Sequence, residues 1–410
     1  MRDSTPVTVG LDVHKVSVRL AAVRADELVE ECTLEHDLEV VEARLRRWPG
    51  ARCCYEAGPT GFGLYRHLTA AGIVCEVVAP SLVPARPGDR VKTDRRDARK
   101  LAFLYGAGLL EAIEVPTPER EAARDLVRAR EDARLDRMRD RHRLSKFMLR
   151  HGRSMVGESW GVTRRRALAS ETFEHAAAQQ TFETYLHAVD LVDRRIEILE
   201  RQIAALSLEG PWAPLVAELR CLRGVETLTA LGLAVEIGDF SRFKTAHEFM
   251  AYVGLVPSER SSGDQRRQGS ITKAGNTHVR RLLIEAAWHA RRPPKAGRDL
   301  LARQRGQHPL VIERAWRCQQ RLHKRWRRMA GRGKPQQKIV VAWVLSDEVC
   351  VVGVTDRPGR AREDSPDVQF DRRRAVGEDA VRGAQAQAPR ATAEAVARRD
   401  GRAARGAAAP

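Results

Sequence analysis

Acidic side chains are too few in this sequence to balance its basic ones. Its 410 residues carry 54 Asp and Glu against 72 Lys and Arg, which leaves a formal net charge of +18. An excess of that size argues against cationic partners and predicts an anionic one, nucleic acid first and an acidic membrane surface second. Metal-binding cysteine pairs are missing too. The seven cysteines are Cys32, Cys53, Cys54, Cys75, Cys221, Cys318 and Cys350. None forms a C-x-x-C pair, so no zinc site is expected. Several lie in apolar, strand-like runs, where a free thiol acts as a small hydrophobe. The opening residues, "MRDSTPVTVG", show no signal-peptide pattern, and no apolar run is long enough to span a bilayer. These absences predict a cytoplasmic, reduced protein with no membrane partner.

What is present falls into four stretches. Residues 7–23 alternate or run apolar with β-branched enrichment, and "LVEECTLEH" reads as a third strand. "LEVVEARLRRW" has helical spacing, "ARCCYEA" reads as a strand, "GFGLYRHLTAAG" as a helix and "IVCEVVAP" as a strand. "DRRDARKLAFLYGAG" reads as a helix closed by glycine. Three strands followed by alternating helix and strand is the element order of a ribonuclease-H-like α/β layer, predicted over 1–115. "VPTPER" opens a helical stretch, 116–206, whose heptad-like spacing suits either a coiled coil or an antiparallel helical pair. A mainly helical region is predicted over 207–355. The remaining residues, 356–410, are rich in Ala, Arg, Gly, Asp and Pro, with Phe370 their only aromatic. Such a composition cannot offset its ordering entropy and predicts a disordered tail. The predicted class is therefore α/β plus α.

Four carboxylates share a pattern. Asp12 ends the first strand in "VGLDVHK", and Glu56 ends a later strand in "CCYEAG". Polar groups at the ends of α/β strands face a shared crevice. Asp94 and Asp97 lie in "KTDRRDA", and their i, i+3 spacing at a helix start puts both on one side. Asp94 alone reads as a cap or dipole partner. Asp12 is harder to explain structurally, because burying a charge at a strand end is costly unless it is paired. Together the four form a hard-oxygen set suited to Mg²⁺ or Mn²⁺, which would relieve their mutual repulsion. Two such ions could activate an attacking oxygen and stabilise a leaving one.

Several long segments, taken together, resemble one family. "GLDVHK", "YEAGPTGFGLYRHL" and "VKTDRRDARKLA" resemble the RuvC-like domain of the insertion-sequence 110 transposases, relatives of the Piv-type DNA invertase. "LRCLRGVETLTALGLAVEIGDFSRF", "YVGLVPSERSSGDQRRQGSITKAGNTHVRRLLIEAAW" and "RAWRCQQRLHKRWRRM" resemble the second half of the same proteins, and the resemblance covers about residues 5–355. It implies a DNA recombinase of a prokaryotic mobile element, working at the nucleoid. It also implies that Asp12, Glu56, Asp94 and Asp97 are the metal ligands, and that the serine before glycine in "SSG", Ser262, is a catalytic nucleophile favoured over Ser261. A structured guide RNA that pairs with donor and target DNA, and a homo-oligomer (dimer or tetramer) with composite sites, are further implications. Two departures stand out. Glu226 replaces a usual second glycine in "LRGVETLTA", which weakens the case for a phosphate contact there, and "KIVVAWVLSDEVCVVGV" matches only loosely.

On this reading Ser262 attacks a DNA phosphodiester. The loop holds no histidine to activate it; the nearest are His247, His278 and His289, so activation by the carboxylate site is the economical route. Arg266, Arg267, Lys273 and the loop's backbone amides would neutralise the phosphate, with Gly263 and Gly269 allowing close approach. Two basic stretches are candidate nucleic-acid surfaces. Residues 117–153 hold 12 Lys and Arg against 7 acids, which a solvated helix face explains fairly well. Residues 291–334 hold 15 against 2, with Trp316 and Trp326 interleaved; these stack on bases or pack in the core, and core packing is the reading for each. Arg280, Arg281, Arg325 and Arg327 are the further candidate phosphate contacts. Competing readings are a metal-dependent Holliday-junction-type endonuclease that uses water, and a non-enzymatic nucleic-acid-binding protein. The first needs no Ser262; the second would tolerate loss of a carboxylate or the serine, and none is lost.

Overall fold

A computed structural model of the chain describes residues 6–84, 94–153, 160–259 and 267–344. The predicted tail, 356–410, lies outside the described residues.

The first part is a mixed five-stranded sheet. Its strands are β1 (Thr8–Val13), β2 (Ser17–Arg24), β3 (Glu27–Glu35), β4 (Arg52–Glu56) and β5 (Val74–Val78), in the order β3-β2-β1-β4-β5. β1, β2 and β3 pair antiparallel, and β4 and β5 join β1 in parallel. Helices cover both faces, which is why β1 and β4 read as continuous apolar runs. On one face Val9, Leu11, Leu20, Cys53, Tyr55 and Val77 pack under α1 (Leu38–Leu45) and α2 (Gly63–Ala70) through Val41, Leu45, Leu64 and Leu68. Asp37 caps α1 by accepting from the amides of Glu39 and Val40. On the other face lies α3 (Asp94–Gly106), whose Ala98, Leu101, Ala102 and Tyr105 meet Ala21, Val23, Cys54 and Val78. The predicted elements of this segment all appear.

The second part is an arm. α4 (Pro118–Arg150) and α6 (Ala176–Glu209) lie side by side, with the short α5 (Val162–Ala169) between them in sequence. Their ion pairs fix the direction: Arg130 meets Glu200 at 2.5 Å, Asp136 meets Arg195 at 2.5 Å and Arg141 meets Asp193 at 3.1 Å. Partner numbers fall as α4 advances, so the helices are antiparallel. Near-continuous helix over 116–206 is thus interrupted between Arg150 and Ala176. A small core closes the far end, where Phe147 and Met148 meet Leu168, Phe182 and Val189.

The third part is helical: α7 (Ala213–Leu219), α8 (Thr227–Ile237), α9 (Ala246–Val253), α10 (Thr277–Ala287), α11 (Arg298–Gln304), α12 (Pro309–Gly331) and α13 (Gln336–Val344). α8 is its axis; every residue from Ala230 to Ile237 is buried. The same core includes Ala123 of α4 and Ile203 of α6, which root the arm. Between α9 and α10 stands a two-stranded antiparallel hairpin, β6 (Pro257–Glu259) and β7 (Gln268–Ile271), where the sequence suggests only a loop. Cys32, Cys53, Cys54, Cys75 and Cys221 are free. No described helix is long and apolar enough to cross a membrane.

Candidate active site and nucleic-acid interface

Two of the four carboxylates sit side by side because β1 and β4 are parallel neighbours. Their last paired residues are Leu11 and Tyr55, and the next step along each strand is Asp12 and Glu56. Adjacent strands lie about 4.8 Å apart, and residues level in a parallel pair share a face. That face is the one α3 covers. Gly10, two residues before Asp12, lets it approach: a Cβ at Gly10 would stand 2.2 Å from the carbonyl oxygen of Ala98 and 2.5 Å from the amide of Ala102. Further back, Thr8 Oγ1 donates to the Ala102 carbonyl at 3.3 Å, and Gly106 lies over Thr8. α3 therefore runs antiparallel to β1. Its N-terminus, with Asp94 and Asp97, is directed to the strand ends that carry Asp12 and Glu56. A helix N-terminus favours negative charge nearby.

His14 joins this end of the sheet, its Nε2 3.1 Å from Asp12 Oδ2. His36 Nδ1 lies 2.6 Å from the His14 carbonyl oxygen and steadies that loop. Sequence reasoning did not single out His14, although it sits inside the "GLDVHK" motif. Asp97 is half-buried. Asp94 is placed by its helix, but its side chain lies outside the described residues. Among the described residues, no three His, Cys, Asp or Glu side chains gather closely enough to hold a metal ion. By donor type the all-oxygen set of Asp12, Glu56, Asp94 and Asp97 fits a hard divalent cation.

The serine stretch is carried on β6 and β7. Ser261, Ser262, Gly263 and Arg266 lie outside the described residues. The stem below is clamped. Thr272 donates to the Val256 carbonyl at 2.9 Å, Lys273 to Gly254 at 2.9 Å and Asn276 to Tyr252 at 3.1 Å. Gly254 (φ +65) and Gly275 (φ +77) interlock, because a Cβ on the first would lie 1.7 Å from the Ala274 oxygen and on the second 2.0 Å from the Tyr252 oxygen. Only glycine meets both demands. Lys273 is exposed in the left-handed region (φ +58), and Arg267 is exposed just before β7. Gly269 faces Ser258 Oγ across the hairpin. Arg280 spans the base, donating to the carbonyls of Val253 at 2.7 Å and Ala274 at 3.2 Å. Its guanidinium is thus directed at the stem's own backbone.

Beneath the stem is a buried carboxylate that sequence reasoning missed. Glu236 of α8 has a fully buried side chain. Arg128 of α4 grips it with two bonds, Nε to Oε1 at 2.7 Å and Nη2 to Oε2 at 3.0 Å. Arg124 approaches at 3.5 Å, and Asn276 Nδ2 donates to Oε2 at 2.9 Å. Burial pushes the Glu236 carboxyl up, but the bonds from Arg128 and Asn276 and the charges of Arg128 and Arg124 outweigh it and hold it below the ordinary glutamate value. His278, beside this group, is pushed down mainly by burial, against the pull of Glu236. His289 packs against Gly224 in the α7–α8 turn and is also lowered by burial, and His247 is exposed on α9. In that same turn Glu226 begins α8 without a side-chain cap and lies 3.8 Å from Arg303.

Comparison with known proteins decides the family. Residues 216–301, which span α8, the hairpin and α10, match the family described as "Transposase IS116/IS110/IS902 family". The protein named "Putative transposase y4qE" of Sinorhizobium fredii is 40% identical over 343 residues, 82% of this chain and 84% of that protein. The transposase for insertion sequence element IS1533 of Leptospira borgpetersenii is 33% identical over 342 residues, 80% of this chain and 98% of its own. The chain belongs to the IS110/IS116/IS902 transposase family. It is thus a DNA transposase, an enzyme that cleaves DNA and transfers strands, as its excess of positive charge suggests.

The transposase carries its densest charge on α12. Val311, Ala315, Cys318, Leu322 and Trp326 form the buried stripe of that helix. Trp326 is 5% exposed and packs on Trp288 with ring centroids 6.1 Å apart, as core packing requires. Trp316 differs from the sequence expectation. It stands off that stripe, 38% exposed, among the outward cations Arg317, Arg321, Lys324, Arg327 and Arg328. Arg325 is half-buried beside Trp326, and Arg327 is exposed. On α10, Arg281 meets Glu131 at 3.1 Å and Glu285 at 2.8 Å. The charge of α4 is largely spent within the arm, where Arg137, Arg141 and Arg165 all converge on Asp193.

Proposed function

We propose that this transposase moves its insertion sequence by serine-mediated recombination, in a RuvC-like domain (1–115) and a serine-bearing helical domain (207–355) joined by the helical segment 116–206. Ser262 Oγ attacks a DNA phosphorus. The Oγ–P bond forms, a phosphodiester P–O bond breaks, the hydroxyl proton passes to a nearby base, and the departing strand leaves with a free hydroxyl. The phosphoserine link conserves bond energy for rejoining, when a strand hydroxyl reverses the exchange. Asp12, Glu56, Asp94 and Asp97 would hold Mg²⁺ or Mn²⁺, which when bound supplies Lewis-acid stabilisation of phosphate charge. Arg266, Arg267 and Lys273 meet the phosphate near the serine.

The observation that carries this reading is the direction of the α3 N-terminus toward the ends of β1 and β4, which brings three separated acidic segments to one end of the sheet. The strand order β3-β2-β1-β4-β5 supports the RuvC-like assignment. The clamped stem that flanks the Ser262 segment in sequence supports a reading in which that segment presents a nucleophile. α12, with exposed Trp316 and Arg327, supplies a track for nucleic acid. By resemblance, the partners are donor and target DNA, a structured guide RNA and further copies of this chain at the nucleoid.

The test is a suicide-substrate trap. The wild-type protein yields a covalent protein–DNA adduct with Mg²⁺, and Ser262→Ala yields none while binding DNA normally. Adduct formation by Ser262→Ala would move the nucleophile elsewhere. Cleavage by wild type without any adduct would favour the water-using junction endonuclease.

A further inference from the structure

The Glu236 cluster does more than satisfy a buried charge. Asn276 has two bonds that point in opposite directions. Its Oδ1 accepts from the Val279 amide at 3.0 Å and so caps α10. Its Nδ2 donates to Glu236 at 2.9 Å. Asn276 is also where the hairpin stem ends, since its backbone amide closes the stem on Tyr252 at 3.1 Å. Tyr252, in turn, donates its hydroxyl to the Glu236 backbone carbonyl at 3.1 Å. Both strands of the stem therefore return to one residue of α8. That residue is held by two bonds from Arg128 on the arm helix α4.

We propose that Glu236, acting through Asn276, is a positioning residue that fixes the stem of the serine-bearing hairpin for DNA cleavage. The inference rests on the serine reading above, but it depends on a different bond. A hydrogen bond of this kind to a charged group is strong and directional. Its partner is rigid, because α8 is buried along almost its whole length. A hairpin of seven paired-strand residues has little core of its own, so its orientation is set at the base. Geometry errors near 1 Å at a reacting group cost about 100-fold in rate.

Asn276→Ser isolates the link. Serine caps helices about as well as asparagine, so α10 keeps its start, but its short side chain cannot reach Glu236. Asn276→Ser is expected to keep near-wild-type DNA affinity while its single-turnover cleavage rate at saturating DNA falls roughly 10- to 100-fold. Amide hydrogen exchange in residues 268–275 should speed up while exchange in α8 stays slow. Glu236→Gln should lower the same rate. The double variant should be no slower than the worse single one, because both changes break one link. An unchanged saturating rate in Asn276→Ser, or strictly additive losses in the double variant, would overturn the proposal. Ser262→Ala, run in parallel, separates the two readings. If it still forms adducts the nucleophile assignment fails, and the Asn276→Ser rate then reports on the stem alone.

Discussion

Gly10→Ala is the sharpest probe of how the carboxylate end is assembled. The added methyl would lie 2.2 Å from the Ala98 carbonyl oxygen, 2.5 Å from the Ala102 amide and 2.9 Å from Leu101 Cβ. Two of those three neighbours are backbone atoms, so no side chain can swing aside. To restore ordinary contact, near 3.4–4 Å, α3 must lift from β1 by more than an ångström. Overpacking of this kind costs about 1–3 kcal/mol, and backbone neighbours put it at the upper end. At about 2–4 °C per kcal/mol for chains of this order, the melting midpoint should fall by ~6–12 °C. The same lift carries Asp94 and Asp97 away from Asp12 and Glu56. If the proposed carboxylate site drives the reaction, DNA cleavage at 25 °C, where the variant is still folded, should therefore drop further than folding accounts for, by roughly 100-fold. Thermal melts and cleavage over a Mg²⁺ titration measure both effects. Gly63→Ala is the control, since a Cβ there meets nothing within 4 Å. Gly10→Ala melting and cleaving like Gly63→Ala would refute the packing of α3 on β1.

Other expectations follow from the same geometry. Asp12→Ala, or chelation by EDTA, should stop strand cleavage while DNA is still retained; full cleavage in EDTA would remove the carboxylates from the mechanism. Trp326→Ala should cost about 3–5 kcal/mol in chemical denaturation, whereas Trp316→Ala should leave stability unchanged and weaken salt-sensitive nucleic-acid binding, and equal melting losses for the two would contradict their placement. Glu236 gives a pH signature. Its folded value is lowered, so the stability it adds is fully present above the ordinary glutamate range and is lost as pH falls through the folded value. Glu236→Gln should accordingly be destabilised by about 1–2 kcal/mol near pH 7, below the cost of breaking a fully buried pair because Arg124 and Arg128 are only half-buried, with His278 and Tyr252 alongside. The gap from wild type should close under acid; a gap independent of pH would rule out the charged pair as its source.

The α/β part was legible because its elements are local. Alternation in β2, the apolar runs of β1 and β4 and the glycine stop after α3 are each read within one window. The three carboxylate segments were legible as well, since strand ends and helix starts are where such groups are presented. The hairpin was not. β6 and β7 have three and four residues, mostly polar, and their pairing depends on Gly254, Gly275 and Arg280 rather than on an apolar pattern. Glu236 was hidden inside "LGLAVEI", and its partners Arg128 and Asn276 lie 108 and 40 residues away. No window joins them. The split between the tryptophans was available and overlooked. Ten residues turn a helix by about 1000°, so Trp316 and Trp326 sit roughly 80° apart, and only one can share the stripe of Leu322 and Cys318. The break between α4 and α6 follows a helical pattern that persists through α5 and gives no periodic signal of its own.

The arm has a mechanical consequence. Its root is fixed where Arg128 grips Glu236, while its far end is closed by a separate small core around Phe147. From Arg128 to Arg150 a helix rises about 33 Å. Leverage over that length is large: tilting α4 by about 10° around the root sweeps the tip through roughly 6 Å, yet leaves groups at the pivot almost still. A tilt about this root would therefore move the tip while leaving the hairpin stem at the fulcrum almost still.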